Sequence, residues 1–369
     1  MIKLTKEKLL RFNLGKIKDK KVLVRVDLNV DLKNGKIFDL YRIEAIKPII
    51  KMLQNAERVI FISHWQDPEK KDPKYSLKKL LPQIQKILEI KLGFLEDLKS
   101  TPKEKFNLLE NIRFWKGEKE NDQNFVNELK KLGEIFVNEA FSASHRKHAS
   151  IFGLSKVLPT FFGPLFEKEI NLMNKALKPK KPLMLILGGA KISTKLPLIY
   201  NFLPKADLIF LAGGLANTFL KAKGFEVGKS LVEESEIPKL KSLFNVKIFL
   251  PLDFIVQNGK KRYLGEVKKN EKILDIGPET IKTIKLILKN ARTIVWNGPL
   301  GYIEKRMFRQ GTKSLAKFLS QHKGFVLVGG GDTLAFLSEE KLLSKFKNIS
   351  TGGGAMLHYL ANGTLPIFE

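Results

Sequence analysis

Arginines and glycines mark where this chain can do chemistry. Lysine outnumbers arginine 56 to 10, so an arginine in a loop suggests that the planar guanidinium fork is wanted, beyond charge alone. "VRVDLNV" sets Asp27 and Asn29 just past an apolar run, and "DLYRIEA" sets Arg42 at the start of a helical pattern. "LLENIRF" puts Arg113 after another apolar run, and "NEAFSASHRKHAS" offers His145, Arg146, Lys147 and His148 after a third. Basic and hydrogen-bonding groups of this kind suit a small acidic molecule, with arginines making two-bond contacts to carboxylate or phosphate. Taken singly, each arginine also fits a salt bridge.

Glycines divide the chain. Residues 1–187 hold seven, none adjacent to another, while residues 188–369 hold twenty. The second set includes "LGGAK" (187–191), "AGGLA" (212–216), "NGPLG" (297–301), "VGGGD" (328–332) and "TGGGA" (351–355). Glycine-rich strand-to-helix turns expose backbone N–H groups at the positive end of a helix, where a phosphate is favoured. In "GGAKISTK", Lys191 and Lys195 lie four apart, a spacing that places both on one face of the opening helix and within reach of nucleotide phosphates. In "GGGDTL", Asp332 is either a helix N-cap or a magnesium ligand, and a magnesium nucleotide needs few protein carboxylates. "GFEVGKS" (224–230) imitates a P-loop, but three residues separate its glycines where four are required.

These groups need strands and helices to position them. Short β-branched runs at 21–27, 58–63, 106–110, 134–138, 183–187, 207–211, 246–250, 293–297 and 325–329 read as strands. Helical spacing recurs at 123–132, 194–203, 278–290 and 332–347. Near-continuous apolar strands separated by helices point to parallel sheets covered on both faces, an α/β architecture with active groups at the carboxyl ends of strands. Residues 161–182 read as one helix closed by a lysine- and proline-rich segment, which is the expected boundary and hinge.

Composition narrows the function classes. At 369 residues and 43% hydrophobic content the chain can build two sizeable cores. It has no cysteine, which excludes disulfides, thiolate metal sites and a cysteine nucleophile. No apolar run approaches the roughly 18–20 residues of a spanning helix, and "MIKLTKEKLLRFNL" lacks the apolar core of a signal peptide, so a soluble, cytoplasmic protein is expected. The net charge of +28 invites a nucleic-acid partner, but the basic residues are spread over the whole chain, as on solvated surfaces.

From about residue 20 onward the sequence resembles the phosphoglycerate kinases, through "VRVDLNV", "LLENIRF", "HRKHAS", "LGGAKIS", "VGKSLVEE", "VWNGPLG", "GTKSLA", "VGGGDT" and "ISTGGGA" in order. The resemblance implies two Rossmann-like, doubly wound parallel-sheet domains joined by a hinge helix. These would be an N-terminal domain at 1–165, a hinge at 166–180 and a nucleotide-binding domain at 181–355, with the tail 356–369 returning to the first. It implies reversible phosphoryl transfer between 1,3-bisphosphoglycerate with ADP and 3-phosphoglycerate with ATP, Mg2+ as cofactor, and a monomer with no nucleic-acid or membrane partner. Carried over by position, Asp27, Asn29, Arg42, His64, Arg113 and Arg146 would hold 3-phosphoglycerate. Lys191, Lys195, Gly213, Gly214, Glu304, Gly329, Gly330, Gly331, Asp332 and Thr333 would hold the nucleotide, with Asp332 on the metal and Glu304 on the ribose. Arg42 and Lys191 would stabilise the phosphoryl in flight.

Three departures stand out. The family pattern His-Leu-Gly-Arg-Pro is here His64-Trp65-Gln66-Asp67-Pro68, so an arginine that grips the 3-phosphate becomes an aspartate. Thr194 and Glu139 each replace an aspartate. Asp67 is expected to turn outward and leave the phosphate to Lys70, Lys71, Arg113 and Arg146. Two other readings stay open: a same-fold kinase with shifted acceptor specificity, and a basic nucleic-acid-binding protein that keeps the fold.

Overall fold

The computed structural model describes residues 2–38 and 40–369; Asp39, which opens the DLYRIEA motif, lies outside them. The chain forms two compact units, one of residues up to Asn171 with Thr364–Glu369, the other Leu172–Gly363.

The first unit is built on six strands: β1 (Lys21–Arg25), β2 (Arg58–Ile62), β3 (Gly93–Leu95), β4 (Phe106–Leu109), β5 (Ile135–Asn138) and β6 (Thr160–Phe162). Their order is β3-β4-β2-β1-β5-β6, and every pairing is parallel. Successive residues of a strand face opposite sides of the sheet. Val22 and Val24 therefore join one apolar cluster with Val59, Phe61 and Val137, while Leu23 joins another with Ile60, Ile62 and Phe136. Both faces are covered, which is why the strands read as unbroken apolar runs. The C-terminal residues pack here too: the Phe368 ring lies 5.3 Å from that of Phe162, and Lys147 Nζ meets Glu369 Oε2 at 2.5 Å.

The second unit repeats the plan with β7 (Leu183–Leu187), β8 (Leu208–Leu211), β9 (Ile248–Phe249), β10 (Thr293–Asn297), β11 (Phe325–Gly329) and β12 (Asn348–Ser350). Their order is β9-β8-β7-β10-β11-β12, again all parallel. In each sheet the order reverses beside the first strand, between β1 and β5 and between β7 and β10. Such switch points open a crevice at the carboxyl ends of the strands.

Several local features differ from the sequence reading. The short strands β3, β6 and β12 were not expected, and β6 overlaps the start of the stretch 161–182 that read as one helix. Residues 253–276 form a separate antiparallel sheet of Asp253–Val256, Lys261–Tyr263 and Ile273–Ile276. Its signal was Asn258-Gly259, a hairpin-turn pair, with Gly259 at φ +79°. The helix expected over 332–347 is Gly331–Glu339. Lys341 takes the left-handed conformation at φ +55°, and the Leu342 N–H returns to the Leu337 carbonyl at 2.8 Å. This is the usual glycine-terminated helix end built with a lysine, so no glycine announced it. The strand expected over 246–250 shrinks to the two-residue edge strand β9.

The helix Pro164–Leu177 carries the chain from one unit into the other. Its amino end is fixed by Glu139, which follows β5 and is fully buried. The Glu139 Oε1 accepts the Leu165 N–H at 2.9 Å and Oε2 the Phe166 N–H at 3.5 Å. These two N–H groups have no partner within the helix, and the carboxyl oxygens satisfy them.

Candidate active site

In the first unit the expected residues gather behind β1, β2, β4 and β5. Asp27 is buried and accepts three hydrogen bonds: from Arg42 Nη1 at 2.9 Å, Ser142 Oγ at 2.5 Å and its own loop's Asn29 N–H at 3.0 Å. Burial alone would raise its pKa, yet the Arg42 guanidinium and these donors hold it below the ordinary carboxylate value. Arg42 sits in the short helix Leu40–Glu44. Asn29 spends its Oδ1 on the Gln66 N–H at 2.7 Å, tying the 64–68 loop to the end of β1.

His64 receives a hydrogen bond that fixes its state. Arg25 Nη2 lies 3.0 Å from His64 Nδ1. A guanidinium only donates, so Nδ1 must be the unprotonated nitrogen and Nε2 carries the proton. Burial, and then the Arg25 charge, lower the His64 pKa well below its ordinary value, which keeps the ring neutral. Burial likewise takes His148 down to about 3, with Arg113, Arg146 and Arg25 adding to the effect. Both histidines are neutral donors in a cationic setting.

Arg25 and Glu118 were not among the expected residues. Arg25 ends β1 fully buried, and Glu118, in the helix Lys116–Glu120, is as deeply enclosed. Ser150 joins them: its Oγ accepts from Arg25 Nε at 3.0 Å and donates to Glu118 Oε1 at 2.7 Å. Arg25 Nη1 also donates to the Val26 carbonyl at 2.5 Å. The available signal was an arginine inside an otherwise apolar strand, because a buried cation must be paired.

Arg113 lies in the turn Ile112–Phe114, whose cap is the Asn111 side chain accepting the Arg113 N–H at 3.2 Å. Its side chain is only 1% exposed. Nε and Nη2, the edge that makes a two-bond contact with an oxyanion, find no hydrogen-bond acceptor among the described residues. Arg146 is exposed and donates from Nε to His145 Nε2 at 3.3 Å.

The altered loop does not behave as expected. Asp67 turns toward the cations: its Oδ1 is 2.6 Å from Lys119 Nζ and 3.8 Å from Arg113 Nε. Gln66 adopts φ +57°, a conformation natural for the family's glycine at this place, and its bond to Asn29 offsets the strain. Trp65 is buried and donates from Nε1 to the Val30 carbonyl at 2.9 Å. The loop backbone is anchored, and Asp67 leaves it exposed on the side of Lys119 and Arg113.

In the second unit two adjoining cavities lie behind β7, β8, β10 and β11. One, of about 570 Å³, has walls that include Leu231, Phe254, Ile276 and Pro299, with Gly213, Gly214, Glu304 and Asp332 at its edge. Asn217 lines it as well, 3% exposed, with an Oδ1 that meets no donor among the described residues. The other, of about 330 Å³, is bordered by Lys191, Thr194, Lys195 and the Gly330–Thr333 turn. The pair offers an apolar slot for a ring system next to a polar one for anions.

The glycines here have two uses. A Cβ on Gly188 would lie 2.0 Å from the Pro299 carbonyl oxygen, and one on Gly298 would lie 2.2 Å from that of Gly188, so these two let neighbouring loops touch. Gly331, in contrast, faces open space within the smaller cavity. Gly330 precedes the helix at φ +105°, and Thr333 Oγ1 braces the turn by accepting the Gly298 N–H at 3.0 Å. Gly329 backs onto Met356. Asp332 lies exposed in the first helical turn and makes no capping bond, so the N-cap reading of it fails.

Lys191 and Lys195 do not share a helix face. The helix begins only at Leu196, because Ser193 gives its N–H and Oγ to Glu233 at 2.9 and 2.7 Å and holds the chain in a separate turn. Lys191 is exposed in that turn, while Lys195 is buried and bonded to Asn297 Oδ1. Burial lowers the Lys195 pKa to about 8, with Asp332 acting against that fall. Thr194 is exposed and donates to the Lys191 carbonyl at 2.9 Å, steadying the lysine's backbone.

The sequence profile of the family described as "Phosphoglycerate kinase" matches residues 13–363. The chain belongs to this family. It is similar to the phosphoglycerate kinase of Coprothermobacter proteolyticus, at 41% identity over 95% of this chain and 96% of that one. That of Aquifex aeolicus is also 41% identical, over 95% of each. Among solved structures, phosphoglycerate kinase from Coxiella burnetii superposes with a TM-score of 0.82 at 37% identity over 95% of both chains. The one from Pyrococcus horikoshii gives 0.80 at 31%, covering 95% of this chain and 96% of that one. The protein is therefore a phosphotransferase with a carboxyl group as acceptor, linking 3-phosphoglycerate and ATP with 1,3-bisphosphoglycerate and ADP. None of these relatives favours the shifted-acceptor or nucleic-acid readings. Among the described residues no helix is long and apolar enough to cross a membrane.

Proposed function

We propose that the first unit holds 3-phosphoglycerate through Asp27, Asn29, Arg42, His64, Arg113 and Arg146, and that the second holds the magnesium nucleotide. In the second unit Gly213, Gly214 and Asn217 face the base, Glu304 the ribose, and Lys191, Lys195 and the Gly329–Thr333 turn the phosphates. The observation that carries the acceptor assignment is the Nε–Nη2 edge of Arg113, buried and without an acceptor beside Arg146 and two neutral histidines. A buried cation with open donors favours an anion there.

A single carboxylate, Asp332, stands free of capping duty on the rim of both cavities. Among the described residues no group of three or more histidine, aspartate and glutamate side chains is placed to hold a metal ion. That donor set fits Mg2+ shared with phosphate oxygens and water, and does not fit a cage made by the protein alone. When bound, the ion would neutralise charge on the nucleotide's phosphates.

The acceptor is a carboxylate, so no general base is required. A carboxylate oxygen forms the new bond to the γ-phosphorus as the bond to the ADP oxygen breaks, and no proton moves. The residues contribute alignment and charge neutralisation. Arg42, oriented by Asp27, and Lys191 are assigned to the phosphoryl in flight. His64 offers its Nε2–H to the substrate. We take the protein to be a cytoplasmic monomer acting on small anions, with no nucleic-acid partner. The test is Arg42→Met: kcat should fall at least about a hundredfold, the size of effect seen when a transition-state donor is removed. A variant with wild-type kcat would refute the assignment.

A further inference from the structure

Lys119 belongs to no site assigned above, yet it shares a carboxylate oxygen with Arg113. Asp67 Oδ1 is 2.6 Å from Lys119 Nζ and 3.8 Å from Arg113 Nε. The Asp67 side chain is 61% exposed, whereas that of Arg113 is enclosed, so the carboxylate is the partner able to swing away. Lys119 sits on an anchored stretch of chain. It lies in the five-residue helix Lys116–Glu120, and its neighbour Glu118 is locked by the Ser150 N–H at 2.8 Å and Oγ at 2.7 Å. That same Ser150 binds Arg25, so one buried network positions both the end of β1 and the turn bearing Lys119.

The Asp67 oxygen marks a point from which one atom meets both cations. A phosphate oxygen placed there would touch Lys119 and approach the open edge of Arg113. We propose that Lys119 is a phosphate-binding residue of the acceptor site, and that Asp67 is its internal counter-ion, holding Lys119 and Arg113 until the substrate's phosphate replaces it. Lys119 thereby supplies the positive charge that an arginine at position 67 gives the family's pattern. Lys70 and Lys71, which the sequence suggested for this role, form no ion pair with Asp67, whose partners are Lys119 and Arg113. This rests on the proposed acceptor site and adds a residue to it.

The test is titration calorimetry of 3-phosphoglycerate without nucleotide, together with steady-state kinetics, on wild type, Lys119→Gln, Lys119→Arg, Asp67→Asn and the Asp67→Asn/Lys119→Gln double variant. Lys119→Gln should weaken 3-phosphoglycerate binding about tenfold or more, the effect of losing a charge-assisted hydrogen bond. It should leave kcat and the KM for ATP within about twofold. Lys119→Arg should restore most of the affinity. Asp67→Asn should tighten binding severalfold, and that gain should vanish in the double variant. If Lys119→Gln binds like wild type, the lysine is not a ligand. If Asp67→Asn and Lys119→Gln both weaken binding, the pair merely braces the loop; either result overturns the proposal. Failure of the wild type itself to bind 3-phosphoglycerate would instead refute the acceptor assignment on which it stands.

Discussion

Glu139 offers the sharpest prediction about the fold. Its carboxyl group is fully buried, with the Leu165 and Phe166 N–H groups as its donors among the described residues. Burial pushes its pKa up to about 8 from an ordinary 4.5, against the pull of those two bonds. Between these values the folded protein holds a proton that the unfolded chain has released. Its contribution to stability is complete below the unfolded value and is lost as pH rises through the folded one. One proton gives a slope of about 1.36 kcal/mol per pH unit, so from about pH 5.5 to about pH 7.5 the loss is roughly 2–3 kcal/mol. Glu139→Gln keeps an acceptor for the helix and never titrates. Urea unfolding of both proteins at the two pH values isolates the effect, because every other titrating group cancels in the comparison. Wild type should lose roughly 2–3 kcal/mol more than the variant over this interval. Parallel losses would show that Glu139 is ionised in the folded state, and the reasoning would fail.

Asp332→Asn should sharply reduce turnover at limiting magnesium while leaving circular dichroism unchanged; normal turnover there would show that Asp332 is not a metal ligand. Because the acceptor and the nucleotide are assigned to different units, both ligands together should compact the protein in X-ray scattering more than either alone, and identical curves would contradict this. Duplex DNA should bind weakly and dissociate at moderate salt, since scattered lysines offer only counter-ion release; tight, sequence-selective binding measured by fluorescence anisotropy would revive a nucleic-acid role.

What the sequence made legible was the periodicity and the loop chemistry. Apolar runs located nine of the twelve parallel strands, missing the three-residue strands β3, β6 and β12, and the paired glycines located the turns behind β7, β8, β10 and β11. The residues around them were less accessible, because their roles depend on distant partners. Arg25 meets Ser150 across 125 positions, and Lys195 meets Asn297 across 102. No local pattern encodes such pairs. Lys119 looked like any surface lysine, and only the folded loop brings Asp67 to it. The Lys191 and Lys195 spacing misled for the same reason: Glu233, far along the chain, holds Ser193 and delays the helix. Turns built without glycine, such as those at Lys341 and Gln66, were equally silent.

The most direct test of the assigned activity is the initial rate of ADP formation from magnesium ATP and 3-phosphoglycerate, for wild type and Arg113→Met. Wild type should turn over, and the variant should lose about tenfold to a hundredfold in kcat/KM for 3-phosphoglycerate while its KM for ATP stays unchanged, as expected when a charge-assisted hydrogen bond to one substrate is removed. A wild type without this activity, or a variant whose two substrate constants are both unaltered, would contradict the assignment.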